Sequence, residues 1–125
     1  MTVALDHTIV WCRDQERSAA FLAELLDRPA PRRVGPFVQI ELDNGVALDF
    51  DQVDTDFPTQ HLAFLVGDAD FDRVFGRIRE RGMDHWADPM RTRPGRTYEH
   101  GGSRGVYFLD PDGHLLEILT APTAA

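Results

Sequence analysis

The stretch PDGHLLEI, residues 111–118, decides the fold, because DNGVALDF at residues 43–50 repeats its pattern 68 positions earlier. Each stretch contains an Asp-Gly or Asn-Gly pair, which favours the positive backbone angles of a tight turn. Each then continues as an apolar strand with an acidic residue at the same place, Asp49 or Glu117. The turn pairs are Asn44-Gly45 and Asp112-Gly113. We infer that both halves of the chain end in the same turn and strand.

The beginnings of the two halves match as well. Residues 6–12, DHTIVWC, align with residues 60–66, QHLAFLV, at a spacing of 54, and each run has a histidine at its second position. Both runs are apolar and contain β-forming residues, so each predicts a strand. Asp14 and Asp68 follow at the same spacing, and each is predicted to cap a helix.

An amphipathic helix is predicted in each half, before the stop signals Pro29 and Gly82. The apolar stripes are Phe21, Leu22, Leu25 and Leu26 in the first half and Phe71, Val74, Phe75 and Ile78 in the second. The second half is 14 residues longer, and we place the extra chain in a loop from about Pro89 to Ser103. The prediction is an α+β chain, a single domain of two repeats at about residues 1–55 and 56–125. Each repeat has a strand, a helix and two or three further strands.

Strand alternation groups four side chains that could carry chemistry. Because successive strand residues face opposite sides, His7, Asp49, His61 and Glu117 lie on faces that the helices leave open, and the repeat's symmetry would bring them toward one point. Imidazole and carboxylate suit Fe(II), Mn(II), Ni(II), Zn(II) or Co(II), and two histidines with one carboxylate leave positions open for a substrate. We predict a divalent-metal site of His7, His61 and Glu117, with Asp49 as a weaker fourth ligand. A metal-free polar cleft is the alternative.

Composition argues against several other classes of function. The 125 residues carry a formal net charge of −8, which opposes nucleic-acid binding. No apolar stretch approaches the ~20 residues of a membrane span, and the N-terminus lacks the basic and apolar segments of a signal peptide. A single cysteine, Cys12, cannot form an internal disulfide, so a cytoplasmic location is expected.

The chain resembles the vicinal oxygen chelate superfamily, which includes glyoxalase I, extradiol dioxygenases, fosfomycin-resistance thiol transferases and bleomycin-resistance proteins. The resemblance rests on His7, on His61 and on GVYFLDPDGHLLEILT at residues 105–120, which carries Glu117. It implies paired βαβββ modules that form a U-shaped cleft, and a metal that chelates two neighbouring oxygens of a substrate. It also implies a homodimer with two sites, in which exchanged modules combine residues of both chains.

The sequence departs from each subgroup of that superfamily in a different way. Glyoxalase I enzymes have a glutamate where Asp49 stands. Extradiol dioxygenases share the three-ligand pattern and the tyrosine at Tyr107, but their acid/base histidine has no counterpart between residues 41 and 60. Fosfomycin transferases have a threonine where Ile9 stands and basic residues where this chain has the uncharged tail 118–125. These two differences disfavour that subgroup.

Further residues are predicted to act on the substrate. Tyr107 and His100 are the catalytic candidates, for proton transfer or for hydrogen bonding to a bound oxygen. Two further features are predicted to contact the substrate. One is an aromatic pocket, and the other is a basic loop that would recruit an anion and could close over the site as a lid. The predicted substrate-binding residues are Trp11, Trp86, Arg96 and Arg104.

Two functions follow from these features. The first is a metal-dependent enzyme of the glyoxalase or dioxygenase type, acting on a small oxygen-rich substrate that the metal chelates. The alternative is a metal-free protein that, like bleomycin-resistance proteins, binds and sequesters a small molecule. The full set of His7, His61 and Glu117 favours the enzyme.

Overall fold

The computed structural model describes residues 2–123 and confirms the α+β class. The chain separates into two compact units, the first ending at Pro58 and the second beginning at Thr59. Each unit has one helix and one sheet, and in each the order begins with a strand, a helix and a further strand.

The first unit is a helix packed on a four-stranded sheet. Its elements are β1 (His7–Cys12), α1 (Gln15–Leu25), β2 (Arg32–Val34), β3 (Phe37–Glu41) and β4 (Ala47–Gln52). The strand order is β1-β4-β3-β2, with β1 parallel to β4 and the other neighbours antiparallel. Alternate strand residues form the core and are almost fully buried: Val10, Cys12, Val38, Ile40, Leu48 and Phe50.

The second unit has five strands. Its elements are β5 (His61–Leu65), α2 (Asp68–Glu80), β6 (His85–Trp86), β7 (Tyr98–His100), β8 (Ser103–Leu109) and β9 (Leu115–Leu119). The strand order is β5-β9-β8-β6, and β7 pairs with β8 before the stretch of β8 that β6 pairs with. The buried residues of sheet and helix are Phe64, Phe71, Val74, Ile78, Val106, Phe108, Leu116 and Ile118.

Both units pair their first and last strands in parallel and in the same register. Ile9, two residues after the first histidine, lies opposite Asp49, and Ala63, two residues after the second, lies opposite Glu117. Opposite residues of neighbouring strands share a face. Each unit therefore places the histidine of its first strand and the acidic residue of its last strand, Asp49 or Glu117, on the same side of its sheet.

The two helices begin differently. Asp14 caps α1 as predicted, and its side chain accepts a hydrogen bond from the backbone amide of Arg17 at 3.1 Å. The predicted cap Asp68 is wrong, because α2 begins one residue earlier than the repeat implies and its N-cap is Gly67. Asp68 then lies in the first turn, where a carboxylate complements the helix dipole. Over residues 2–123, no helix is long and apolar enough to cross a bilayer.

The predicted loop of residues 89–103 is only partly a loop. Tyr98–His100 forms β7, which turns through Gly101 and Gly102, both at positive φ, into β8. Residues 88–93, before β7, are held by hydrogen bonds of their own, because the Asp88 carboxylate accepts from the backbone amides of Thr92 and Arg93. The extra 14 residues of the second half therefore supply a strand that the first half lacks.

His114 is fully buried, and its Nδ1 atom accepts a hydrogen bond from the Gln60 amide at 2.9 Å. We expect His114→Ala to lower the free energy of unfolding by about 3 kcal/mol, because it leaves a cavity and deprives the part-buried Gln60 amide of its acceptor. Urea unfolding followed by circular dichroism measures this loss. His100→Ala is the matched control, since His100 is exposed and should change stability by less than about 0.5 kcal/mol. A loss below about 1 kcal/mol for His114→Ala would contradict the structural role.

Candidate metal site

Glu117 is the centre of the candidate site in the second unit. It lies on β9, and only 6% of the residue is exposed. Its two carboxylate oxygens have different neighbours: Oε1 lies 3.2 Å from His61 Nε2, and Oε2 accepts a hydrogen bond from the Tyr98 hydroxyl at 2.5 Å. The carboxylate is therefore held in one orientation, with one oxygen beside an imidazole.

The His61 ring is oriented by the backbone. Its Nδ1 lies 2.9 Å from the carbonyl oxygen of Leu115, and because a carbonyl only accepts, Nδ1 carries the proton. In the neutral ring Nε2 then bears a lone pair, and this lone pair faces a carboxylate oxygen. Two acceptors at this distance require a proton or a cation near them. A metal-ligating histidine usually donates its other ring N–H to a carbonyl or carboxylate in this way.

The spacing of these two atoms fits a shared metal ion. Metal–nitrogen and metal–oxygen bonds of about 2.1 Å, at angles between octahedral and tetrahedral, separate two ligand atoms by roughly 3.0–3.4 Å. The distance of 3.2 Å between His61 Nε2 and Glu117 Oε1 lies within that range. The donor set, one imidazole and one carboxylate, also suits a divalent transition metal.

Tyr107 lies on the same face, opposite Glu117 in the pairing of β8 and β9. Its ring is stacked on that of His61, with centroids 6.0 Å apart and an interplanar angle of 26°. Burial, together with the charge of Glu117, raises the pKa of Tyr107 to about 12. Tyr107 therefore keeps its proton near neutral pH and can act there as a hydrogen-bond donor.

Tyr98 is a site residue that the sequence analysis missed. The pKa of Tyr98 is raised well above its usual range. Burial is the largest cause, and the hydrogen bond to Glu117 is the next largest. The signal that could have found it is the Gly101-Gly102 pair, which is a two-residue hairpin turn between short strands. Alternation along β7 then places Tyr98 and His100 on one side, the side of Glu117, but His100 is exposed.

The first unit carries its own histidine and carboxylate. His7 is exposed, and its Nδ1 lies 2.7 Å from the Asp6 carboxylate, a hydrogen bond that raises the pKa of His7. Asp49 is 6% exposed, and its Oδ1 accepts a hydrogen bond from Gln39 Nε2 at 2.8 Å. The His7 ring thus has Nε2 available, whereas the side-chain amide of Gln39 holds one oxygen of Asp49.

The two tryptophans lie on the same faces as these groups. Trp86 on β6 pairs with Tyr107 and is half-buried, and the Arg91 guanidinium lies 5.8 Å from its ring centroid. Trp11 on β1 is half-buried and shares the face of His7 by alternation. Each could form an apolar wall beside the histidine and carboxylate of its own unit.

The arginines predicted to recruit a substrate lie in different surroundings. Arg104 shares a face with Val106, toward α2, and contacts Asp68 at 3.1 Å and Asp72 at 2.9 Å. Its guanidinium also lies 4.5 Å from the Phe71 ring centroid. These contacts link β8 to α2 on the side away from Glu117, so we leave Arg104 out of the site. Arg96 is exposed in the loop before β7.

Each unit contributes a pair of candidate ligands and no more. Within residues 2–123, neither unit by itself gathers three or more His, Cys, Asp or Glu side chains in a metal-binding arrangement. The pairs are His7 with Asp49 and His61 with Glu117.

Comparison with known proteins identifies the family of the chain. A family model described as Glyoxalase/Bleomycin resistance protein/Dioxygenase superfamily matches residues 4–118. The solved structure of Oxidase ChaP-H1 is 54% identical, with a TM-score of 0.96 over 99% of this chain and 100% of that one.

Curated relatives include enzymes named for fosfomycin resistance or thiol transfer. Glutathione transferase FosA of Serratia marcescens is 30% identical over 132 residues, which cover 100% of this chain and 86% of the relative. Fosfomycin resistance protein FosX of Mesorhizobium japonicum is 40% identical over 60 residues, 48% of this chain. That match spans only 38% of FosX.

Proposed function

Because the chain belongs to the glyoxalase/bleomycin resistance protein/dioxygenase superfamily, we propose that it is a metal-dependent enzyme acting on a small oxygen-rich substrate. The observation that carries the proposal is the contact between His61 Nε2 and Glu117 Oε1 at 3.2 Å. The hydrogen bond of His61 to Leu115 places the proton of the neutral ring on Nδ1, so Nε2 can offer a lone pair beside the carboxylate oxygen, and a divalent cation would be bound by both atoms. Enzymes among its relatives, an oxidase and a glutathione transferase, support a catalytic role.

The ligand set of the proposal is His61, Glu117 and His7. His7 has the same relation to Asp49 in its own sheet as His61 has to Glu117, and Asp6 orients its ring as Leu115 orients that of His61. Asp49 is the weaker candidate, because Gln39 already occupies one of its oxygens. We further propose that the protein is a cytoplasmic homodimer, as the family resemblance and the single cysteine suggest.

The bound metal would supply Lewis acidity to two neighbouring oxygens of the substrate. The chain's own residues then orient the substrate and manage protons. Tyr107 donates a hydrogen bond to a substrate oxygen from its place beside His61 and opposite Glu117. Trp86, which pairs with Tyr107, forms an apolar wall. His100 is on the same face and exposed, where it can exchange a proton with solvent.

Among the reaction types of the superfamily we propose an oxidase. The identity of 54% to Oxidase ChaP-H1 over the whole chain exceeds the 30% to Glutathione transferase FosA. Ile9 and the uncharged tail 118–125 also depart from the pattern expected of fosfomycin transferases. Because a metal that takes part in an oxidation must be able to change its oxidation state, we expect iron or manganese rather than zinc.

Elemental analysis of freshly purified protein tests the proposal. We expect about one equivalent of iron or manganese per chain, removed by a chelator and restored by adding the ion. The reference is the His100→Ala variant, which lacks an exposed histidine outside the ligand set and should keep the metal. Zinc or nickel at full occupancy would contradict the oxidase assignment. Protein that takes up no divalent ion after incubation with each would overturn the metal site and leave the sequestering binder.

A further inference from the structure

The two oxygens of Glu117 are used differently, and this division points to a role for Tyr98. Oε1 faces His61, whereas Oε2 accepts the short hydrogen bond of the Tyr98 hydroxyl. We infer that Tyr98 is a positioning residue, which fixes the Glu117 carboxylate so that Oε1 alone is offered to the metal. This inference rests on the proposed function.

Tyr98 reaches Glu117 only because Gly105 lies between them. Strand β7 pairs with β8 and β8 with β9, so Tyr98 is two strands away from the carboxylate, about 9.6 Å at the usual strand spacing. Its ring must cross β8 at its pairing partner, Gly105. A Cβ added at Gly105 would overlap the Cζ, Cε2 and Oη atoms of Tyr98. Any other residue at position 105 would displace the ring.

The first unit lacks this arrangement. Counting back 68 positions, Phe37 stands where Gly105 stands, and Gln39 stands where Tyr107 stands. Gln39 holds Asp49 directly from the adjacent strand. In the second unit, the strand that holds Tyr98 comes from the 14 extra residues. That insertion therefore supplies Glu117 with a hydrogen-bond partner two strands away, whereas Gln39 is only one strand from Asp49.

A carboxylate held by a hydroxyl group loses less rotational freedom when it binds a metal. Partners that orient a metal ligand typically change metal affinity by about 10- to 100-fold when they are removed. Tyr98→Phe removes the hydroxyl and keeps the ring, and Gly105→Ala keeps the hydroxyl and displaces the ring. Both changes should weaken metal binding through the same contact.

Titration of the full-length protein with Co(II), followed by the visible absorption of the bound ion, tests the inference. We expect Tyr98→Phe and Gly105→Ala each to weaken Co(II) binding by about 10- to 100-fold and to shift the visible spectrum. Because both act on one contact, the double variant should bind no more weakly than the weaker single variant. Gly76→Ala on α2 is the matched control, since a Cβ there meets nothing within 4 Å.

Two outcomes would contradict the inference in different ways. If the wild type binds Co(II) and Tyr98→Phe binds it within about twofold, the positioning role is wrong and the metal site stands. If the wild type binds no Co(II), the proposed function fails and this inference with it. The losses of Co(II) affinity in Tyr98→Phe and Gly105→Ala could instead add in the double variant. Such additivity would mean two separate structural losses and would also overturn the inference.

Discussion

Glu117→Gln is expected to reduce the affinity for the divalent metal by at least about 100-fold while the fold stays intact. Apparent binding energies of about 10–16 kcal/mol for a structural zinc, shared by four ligands, imply roughly 3 kcal/mol per ligand. The amide has the shape of the carboxylate but not its charge. It can still accept the Tyr98 hydroxyl, so the packing around residue 117 should change little.

The measurement is thermal unfolding with and without metal. A ligand at 100 times its dissociation constant stabilises the native state by about 2.7 kcal/mol, so metal at that concentration should raise the wild-type midpoint. A variant that binds 100-fold more weakly gains only about 0.4 kcal/mol, so the midpoint of Glu117→Gln should rise far less. Glu99→Gln makes the same chemical change at an exposed position on β7, and it should respond to metal as the wild type does. A metal-dependent rise in Glu117→Gln that equals the wild-type rise would rule out Glu117 as a ligand.

The repeat made the fold predictable. Matching turns before Asp49 and Glu117, and matching histidines in the first strand of each half, imply the register that the structure shows. Once the register is known, alternation places His61, Tyr107 and Glu117 on one face. This part of the site needed only the period of a strand and the spacing of the repeat.

What alternation could not supply are contacts that cross strands or depend on where an element starts. Residues 98–103 read as part of the predicted loop, because the three-residue strand β7 before the Gly-Gly turn carries little periodicity. Without that hairpin, alternation assigns Tyr98 to neither face of the sheet. The basic loop predicts a substrate contact for Arg104, whereas in the structure Arg104 contacts Asp68 and Asp72 of α2. The hydrogen bond of Gln39 to Asp49 likewise depends on a pairing between β3 and β4 that composition does not reveal.

Asp49 and Glu117 have different hydrogen-bond partners in their own units, and this difference bears on the number of metal ligands. Asp49 has an amide partner on the neighbouring strand, and its side chain is one methylene shorter than that of Glu117. Glu117 has a hydroxyl on one oxygen and an imidazole beside the other. Of the two arrangements, only the second places a carboxylate oxygen beside a histidine ring nitrogen, at 3.2 Å. We therefore expect three protein ligands rather than four.

Substitutions in the first unit should show that His7 is a metal ligand and that Asp49 is not. His7→Ala is expected to weaken metal binding by about 100-fold, because it would remove one of the three proposed ligands. Asp49→Asn is expected to change it by less than about threefold, since the amide of Gln39 already holds that side chain. Isothermal titration with Mn(II) of metal-free protein measures both, and circular dichroism confirms that each variant is folded.

The pattern of the two results decides the coordination. A large loss in Asp49→Asn together with a large loss in His7→Ala would mean four ligands, and the three-ligand proposal would be wrong. Unchanged binding in His7→Ala would mean that the first unit supplies no ligand, and that His61 and Glu117 hold the ion without it. Loss in His7→Ala alone is the expected result. Of these two side chains in the first unit, His7 is oriented through Nδ1 by Asp6 and offers its Nε2 to a metal, whereas Gln39 already holds one oxygen of Asp49.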